Sequence, residues 1–521
     1  MSLFMRTLLA LSFASLTIGA AFAADERPVC QFVKEHMAKD LGLHAECKAS
    51  YSIYCKDTAT NRKKGCAAYK RASKNSNVKI AGFNVYNLGM GQDFSGNLLT
   101  GLKQNHILAE TIAQFDLTGA VELKHLAKED RSFNEKLLKT INDLKSGKRK
   151  LMKFVSRTNE KREITLEEIE GKFRVPQYLN VLKELIKIDS NFALVLSNDL
   201  YPRLSDDLLN NEIAGFFYKK NKFNLRNTNY CGAGVKACTA KTKEFPAEIA
   251  RKPFLATFKA GKMEFTIAAV HFRFRRPTKK VNKKPVLDEA LYNPMMKVFD
   301  FSKETGYQFK NNKTQQNIKH ETSSRFAEAK MVIDFLGAQR KAGKIKDPLL
   351  YGDFNLAAPR AHTPTPERKK DEDLQEAFKL AWDKILPGMK GADVYVNSPS
   401  TVGKKTLGSN FDHLVLAKAG KLSKCDVDNA DVFDFTDEEV FPSGHALVRK
   451  IDKEAMLAHF AKALNFKSTT TMKHRYTSGK MNFWEIGIDN KLIGSYNEGT
   501  KVVFSEAISD HLPVYLNCNT K

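Results

Sequence analysis

The sequence lacks long apolar runs beyond its N-terminal stretch. No later segment has about 18 uninterrupted apolar residues, the length that a membrane-spanning helix needs. The chain also has no Cys-x-x-Cys spacing, which disfavours a structural zinc site, and no repeat of the solenoid kind. We therefore expect no stable insertion into a membrane. A hydrophobic content of 42% indicates a packed chain instead of a disordered one.

Acidic residues are in the minority. The chain has 59 Asp and Glu against 84 Lys and Arg, which gives a net charge of +25. Such a surface attracts polyanions, namely nucleic acid, anionic lipid or cell-wall polymer, although a charge that only maintains solubility is the alternative. We expect a nucleic acid substrate bound through a basic face. The sequence indicates no protein partner, so we expect a monomer.

The first residues have the pattern of a secretory signal. Arg6 precedes the apolar stretch Leu8–Ile18, and Ala21-Phe22-Ala23 is a cleavage site of the small-x-small type. We predict a signal peptide over residues 1–23 and a secreted or periplasmic protein.

All the cysteines follow this segment, and an even number in an exported chain favours disulfides, with zinc binding as the alternative. The sequence does not fix their connectivity. We expect two bridges within the first four, a short loop closed by the next two, and a bridge from the seventh to the eighth that ties an insertion to the last strand. The eight candidates are Cys30, Cys47, Cys55, Cys66, Cys231, Cys238, Cys425 and Cys518.

The chain divides into a short N-terminal part and a large domain. Residues 24–76 form a cysteine-containing segment, and residues 77–521 form the main domain. Strand and helix patterns alternate from Val78 onward, which predicts layered α/β architecture. A charged stretch with helical spacing at about 126–190 predicts a helical insertion, and a stretch of mixed character at about 420–500 predicts a second insertion.

Residues suited to catalysis stand at the ends of several apolar strands. Glu122, His271, Asp353 and the pair Asp510-His511 all have this position. Carboxylates are hard oxygen ligands, and imidazole exchanges protons near neutral pH. Each residue alone has a structural alternative, such as a solvated strand-end glutamate. Together they predict a hydrolytic site with a divalent metal, for which we expect Mg²⁺, with Mn²⁺ or Ca²⁺ as alternatives.

Three arginines follow the histidine strand closely. Arg273, Arg275 and Arg276 lie around the aromatic Phe274, and a run of lysines continues the basic stretch. This pattern is typical of a track that binds a phosphate backbone, and a solvated basic loop is the alternative.

These motifs resemble the signature of the endonuclease/exonuclease/phosphatase superfamily, in its deoxyribonuclease-like branch. The resemblance implies an α/β (α+β) fold, a four-layer sandwich of two packed mixed β-sheets flanked by helices, with helical insertions. In chain order, the segments that carry the resemblance are Val78 to Asn87, Asp116 to Glu122, Arg251 to Pro253, His271, Gly352-Asp353-Phe354-Asn355, Asn410 to His413 and Ser509-Asp510-His511.

The resemblance also implies catalytic roles. His271 and His511 would be paired imidazoles at the scissile phosphate. Glu212 would orient the first ring and Asp412 the second. Asp353 would orient the attacking water or a metal.

Further roles implied by the resemblance concern the metal and the phosphate. Glu122 would ligate the metal, with Asn84 and Asp510 nearby. Asn355 and Arg251 would bind phosphate oxygens.

The expected function is that of a secreted, divalent-metal phosphodiesterase. The favoured form is a nuclease of low specificity that hydrolyses DNA, with RNA left open. A sphingomyelinase-type phosphodiesterase or a phosphatase of the same fold is the alternative, for which Met481 to Trp484 is a candidate apolar contact. A basic binding protein without catalysis is the third possibility.

Overall fold

The computed structural model of the protein describes most of the predicted domain. It covers residues 42–46, 52–56, 58, 77–89, 104–124, 143, 146–148, 152–155, 161–164, 177–197, 212–228, 245–246, 248–282, 284–359, 372–402, 407–435, 471–477, 481–488, 491–492 and 508–521. The predicted signal peptide lies outside these residues, as do Cys30, Cys47, Cys66, Cys231 and Cys238. Among the helices described, none has the length and apolar character that crossing a membrane requires.

The larger sheet has eight strands. In chain order they are β1 (His44–Glu46), β2 (Ser52–Tyr54), β3 (Asn77–Gly89), β4 (Leu117–Lys124), β7 (Phe192–Leu196), β8 (Glu212–Lys219), β17 (Cys425–Val432) and β21 (Val514–Asn519). Their order across the sheet is β1-β2-β7-β8-β4-β3-β21-β17. Strands β3 and β4 run parallel and the other neighbours antiparallel, so the sheet is mixed.

The second sheet has six strands. They are β9 (Asn224–Thr228), β10 (Phe254–Ala260), β11 (Met263–His271), β14 (Pro348–Asp353), β15 (Ala392–Tyr395) and β16 (Asp412–Ala417). Their order is β15-β16-β14-β11-β10-β9, and only β11 and β14 are parallel neighbours. Strand β14 is buried along its whole length, in agreement with the apolar residues that precede its Gly-Asp end.

Helices cover both sheets on their outer sides. Helices α1 (Asn105–Ala113) and α2 (Gln177–Ile188) share the core of the eight-stranded sheet. A second core lies between the six-stranded sheet and four further helices. These are α3 (Glu289–Val298), α4 (Phe301–Thr305), α5 (Lys313–Lys341) and α6 (Glu372–Ile385). The predicted sandwich of two packed mixed sheets flanked by helices is confirmed.

A tyrosine and two glycines set how closely the sheets approach. Gly82 of β3 and Gly119 of β4 are register partners, and the ring of Tyr351 from β14 packs on both. A Cβ atom would lie 2.1 Å from a ring carbon at Gly82 and 1.6 Å from the tyrosine oxygen at Gly119. The absence of side chains therefore creates the slot that holds this buried ring.

The stretch at about 126–190 differs from the predicted helical insertion. Among its described residues, β5 (Met152–Val155) and β6 (Lys161–Ile164) form an antiparallel pair. Helix α2 is buried along one face, so it belongs to the body of the domain. The leucine spacing predicted α2 correctly, whereas strands of only four residues are too short to stand out as a period-two pattern.

Part of the stretch at about 420–500 also belongs to the main sheet. Strand β17 pairs with β21, and Cys425 faces Cys518 in this pairing and forms a disulfide with it. The predicted bridge is confirmed, and Cys55 is disulfide-bonded as well. Further along, β18 (Thr471–Thr477), β19 (Met481–Ile488) and β20 (Lys491–Leu492) form a separate three-stranded sheet.

Candidate active site

The six-stranded sheet places three of the predicted site residues in one register row. His271 at the end of β11 pairs with Asp353 of β14. On the other side of β14, Asp353 is the partner of Asp412 at the start of β16. Side chains in one row of a sheet lie within contact range of their neighbours. The sheet itself therefore brings an imidazole and two carboxylates together.

The eight-stranded sheet supplies an amide and a carboxylate. The pairing of β4 is irregular on both sides near Glu122, whose backbone φ is 62°. Such a bulge redirects a side chain away from the regular alternation of the strand. The Asn84 amide nitrogen donates hydrogen bonds to Glu122 Oε1 at 3.0 Å and to Asp353 Oδ2 at 3.2 Å. Asn84 thus joins carboxylates from the two sheets.

The ring of His271 is held in place through its Nδ1 atom. His271 Nδ1 lies 2.6 Å from Oε1 of Glu212, which is fully buried at the start of β8. Arg251 binds the other oxygen of Glu212 at 2.9 Å and donates to the carbonyl oxygens of His271 and Phe272. This arrangement holds the ring in one orientation and directs its Nε2 toward Glu122 Oε1 at 3.5 Å.

The second imidazole has an equivalent support. His511 Nδ1 lies 2.7 Å from Asp412 Oδ2, and the hydroxyl of Ser400 donates to the same oxygen at 2.7 Å. Burial disfavours the charged ring, but the carboxylates of Asp412 and Asp353 outweigh it and raise the pKa of His511 well above its ordinary value. The hydroxyl of Ser509 connects the segment that contains His511 to β3, because it donates to the carbonyl oxygen of Asn84 at 2.6 Å.

Three ligand atoms in the site are close enough to hold a cation. One ligand atom each from Glu122, His271 and Asp353 lies within 4.8 Å of the others. Two carboxylates with an adjacent amide suit a hard divalent cation such as Mg²⁺. Asp510 lines the same cleft. Burial raises the pKa of Asp353, and the two imidazoles offset this only in part, so a cation here would favour its charged form.

The cleft has a volume of about 320 Å³. The sequence identified six of its lining residues and missed five. The lining residues that were missed are Tyr86, Phe274, Thr401, Ser409 and Phe411. Tyr86 has a backbone φ of 43°, a conformation that sequence patterns do not reveal for a tyrosine. The exposed aromatic Phe274 was visible only as a member of the basic stretch.

Asn355 is placed at the cleft by a strained turn. Its backbone φ is 51°, its N–H donates to Asp353 Oδ1 at 2.8 Å, and its amide nitrogen donates to the Phe272 carbonyl at 3.0 Å. The guanidinium of Arg325 donates to the Asn355 carbonyl at 3.1 Å. Non-glycine residues with positive φ concentrate at functional sites, and Tyr86, Glu122 and Asn355 all lie here.

The arginines predicted to bind phosphate are placed differently. None of the four is among the described residues that line the cleft. Arg251 binds Glu212, Arg273 is buried beside the carboxylate of Glu328, and Arg276 binds Asn317. Arg251 and Arg273 pair with buried carboxylates instead of facing the substrate. Such pairing is expected because leaving a buried charge unpaired is costly in free energy. Arg275 is exposed.

Comparison with known proteins yields matches among solved structures only. No protein-family model matches the chain, and no curated protein does. An endonuclease/exonuclease/phosphatase family protein from Bacteroides thetaiotaomicron is 11% identical with a TM-score of 0.35, over 85% of this chain and 98% of that one. A mannosyl-6-phosphatase from the same organism is 10% identical with a TM-score of 0.33, over 84% and 98%. The catalytic domain of human Nocturnin is 12% identical with a TM-score of 0.28, over 85% and 94%.

At these identities and TM-scores the likeness carries no conclusion about this chain. The two packed mixed sheets agree with the architecture that the strand-end motifs imply, and those motifs converge on one cleft. The two-sheet architecture and this convergence agree with the resemblance to the endonuclease/exonuclease/phosphatase superfamily that the sequence motifs carry.

Proposed function

We propose that the protein is a divalent-metal-dependent phosphodiesterase and that its substrate is nucleic acid, cut with little sequence preference. The observation that carries this proposal is the pair of carboxylate-supported imidazoles, His271 with Glu212 and His511 with Asp412, on opposite sides of Asp353. Two such pairs at one cleft suit a reaction in which one group removes a proton and another delivers one.

The metal would be held mainly by Glu122 and Asp353, with Asn84 and Asp510 close by. When bound, it would neutralise charge on a phosphate oxygen and lower the pKa of the attacking water. The hard oxygen donors favour Mg²⁺, and Mn²⁺ has the same preference for carboxylates.

The side chains would transfer the protons and bind the phosphate. His271, held in one tautomer by Glu212, would take the proton of the attacking water, which Asp353 orients. As the water oxygen bonds to phosphorus, the bond to the leaving oxygen breaks. His511, kept protonated by Asp412, would give its proton to that oxygen. Asn355, at the rim of the cleft, would bind a phosphate oxygen.

Nucleic acid is proposed as the substrate because the chain carries a net charge of +25. Backbone binding by such a protein releases counterions and weakens steeply with salt. We also propose export, because a disulfide such as Cys425–Cys518 persists in oxidising compartments. Met481 to Trp484, the candidate lipid contact of the alternative, lies at the start of β19.

The test is cleavage of plasmid and of single-stranded DNA and RNA by the purified protein with Mg²⁺ or Mn²⁺. We expect cleavage that a chelator abolishes and that decreases with salt. His271→Ala and His511→Ala should each lose most of the activity and keep the melting temperature. Absence of cleavage by folded wild-type protein across metals and at low salt contradicts the proposal. Release of phosphocholine from sphingomyelin vesicles would support the lipid alternative instead.

A further inference from the structure

The cleft contains three aromatic side chains that the catalytic arrangement does not use, Tyr86, Phe274 and Phe411, and of these Phe274 is the exposed one. Phe274 lines the cleft together with Glu122, His271 and His511, and 56% of its surface is exposed. More than half of the ring is therefore available to a ligand in the cleft. It stands three residues after His271 and lines the same cleft, which places it close to the proposed catalytic residues.

The ring is held in place from one side. The guanidinium of Arg325 lies 5.5 Å from the ring centroid of Phe274 and donates a hydrogen bond to its carbonyl oxygen. The same guanidinium donates to the Asn355 carbonyl at 3.1 Å. Arg325 therefore fixes the aromatic residue relative to a residue of the cleft rim. A ring that is ordered before binding loses little entropy when a ligand stacks on it.

The surroundings of Phe274 favour an aromatic, anionic ligand. Its neighbours in the cleft include Tyr86 and Phe411 as well as carboxylates and imidazoles. A flat aromatic ligand can stack among these rings, whereas an acyl chain would also contact the charged groups. Beyond Phe274, the chain forms the hairpin β12 (Thr278–Val281) and β13 (Lys284–Leu287), on which Lys279 and Lys284 are exposed. An aromatic platform followed by exposed cations is the arrangement that binds single strands, with bases stacked and phosphates neutralised.

We propose that Phe274 is a nucleobase-stacking subsite, on which the base next to the scissile phosphate stacks, and that the preferred substrate is single-stranded nucleic acid. The volume of about 320 Å³ is near the lower end of small-molecule pockets, so an unpaired nucleotide enters the cleft more readily than a duplex does. The inference rests on the proposed nuclease function and specifies its substrate.

The experiment compares two oligomers of equal length with full-length protein and Mg²⁺. One is oligothymidylate, and the other has the same phosphodiester backbone with abasic residues. We expect the wild-type KM for the abasic oligomer to be higher by about tenfold, because base stacking is lost. Phe274→Ala should remove this difference between the two oligomers, and Phe274→Trp should keep it. Leu291→Ala, at another exposed apolar residue with 39% exposure, is the matched control and should retain the wild-type ratio.

Each outcome has a definite meaning. If wild-type protein cleaves both oligomers with equal KM, or if Phe274→Ala keeps the wild-type ratio, the stacking subsite is wrong and the nuclease function stands. If wild-type protein cleaves neither oligomer nor duplex DNA, the nuclease function itself fails. If Phe274→Ala instead weakens binding to anionic phospholipid vesicles and leaves the KM ratio intact, the residue serves a membrane surface and the proposal is overturned.

Discussion

Asp353 Oδ2 lies 3.7 Å from Nε2 of His271 and also 3.7 Å from Nε2 of His511. One carboxylate oxygen is thus equidistant from two imidazoles that lie far apart in the sequence. Burial raises the pKa of Asp353, while the neighbouring rings act in the opposite direction. A water molecule held at this oxygen would contact both rings, which makes Asp353 the central group of the proposed reaction.

We expect Asp353→Asn to lower kcat by about 10²–10⁴-fold. The amide is neutral, so it cannot orient the attacking water and the cation as the charged carboxylate does. The substitution keeps the shape of the side chain, and the melting temperature should change little. Steady-state cleavage of single-stranded DNA measures the effect. Asp383→Asn on the exposed face of α6 is the control and should behave as wild type. A near-normal kcat in Asp353→Asn would exclude a central role.

The pH dependence of cleavage should report the pair His511 and Asp412. Burial opposes the charged ring, yet the nearby carboxylates raise the pKa of His511 well above its ordinary value. A proton donor is active below its pKa, so a raised pKa extends activity toward higher pH. In Asp412→Asn the pKa of His511 should fall, and the alkaline limb of the kcat profile should move to lower pH.

The control for this profile is Asp428→Asn, at a residue whose side chain is 79% exposed and pairs with Lys418. Its alkaline limb should coincide with that of wild type. An unchanged limb in Asp412→Asn, even with a reduced kcat, would mean that His511 is not the group that titrates there.

Strand patterns made the sheets and most of the site predictable. Apolar segments that end on a chemically competent residue located His271 and Asp353, and the family resemblance supplied Asp412. The strand register places the three residues in one row. The alternation of a strand also separates adjacent residues with different roles. Asp412 points into the site, whereas His413 is fully buried and contacts the carbonyl of Leu356 at 2.6 Å. A sequence pair of Asp and His does not reveal this division.

The arginines show what a linear pattern cannot supply. Arg273 and Arg275 alternate around Phe274, and the pattern predicts a track that binds a phosphate backbone. The structure buries Arg273 against Glu328 of α5, which lies far along the chain. The same helix provides Arg325, which supports Phe274 and Asn355. Which arginine faces solvent depends on side chains of a helix far along the chain. The spacing of the arginines in the sequence gives no information about those partners.

The glycine slot between the sheets gives a prediction for stability. Gly119→Ala places a methyl group against the Tyr351 hydroxyl, so the sheets must separate or the ring must move. We expect a loss in the free energy of unfolding of about 1–3 kcal/mol or more, measured by denaturant titration. Tyr351→Phe is the complementary variant. Its removed hydroxyl is buried and has no hydrogen-bond partner among the described residues, so its loss should be neutral or stabilising.

The double variant tests the cause. If the tyrosine oxygen is what the new methyl group meets, Tyr351→Phe should recover part of the stability lost in Gly119→Ala, because the two effects are coupled through one contact. If the changes in the free energy of unfolding are strictly additive, the alanine acts through another contact. A large loss of stability in Tyr351→Phe alone would contradict the proposed contact between Gly119 and the tyrosine hydroxyl.

Asp116 gives a prediction for stability against pH, at a point remote from the cleft. Its carboxylate binds Lys219 at 3.0 Å and Lys222 at 2.7 Å and accepts the backbone N–H of Lys79 at 3.1 Å. Burial alone would raise the pKa of Asp116, but the two lysines and the backbone donor outweigh it and lower the pKa. The charged form therefore stabilises the fold above the unfolded-state pKa of about 3.9.

Asp116→Asn should lower the free energy of unfolding at neutral pH by about 1 kcal/mol, and the difference from wild type should shrink as the pH falls through the pKa of the folded protein. Urea titrations at neutral and acidic pH measure both. Asp334→Asn is the matched control, because Asp334 pairs with Lys330 at 2.8 Å but its side chain is 43% exposed. Solvent screens such a pair, so that variant should stay close to wild type at every pH. A loss in Asp116→Asn that stays constant with pH would assign the effect to packing, because the charge of Asp116 titrates in this range and its packing does not.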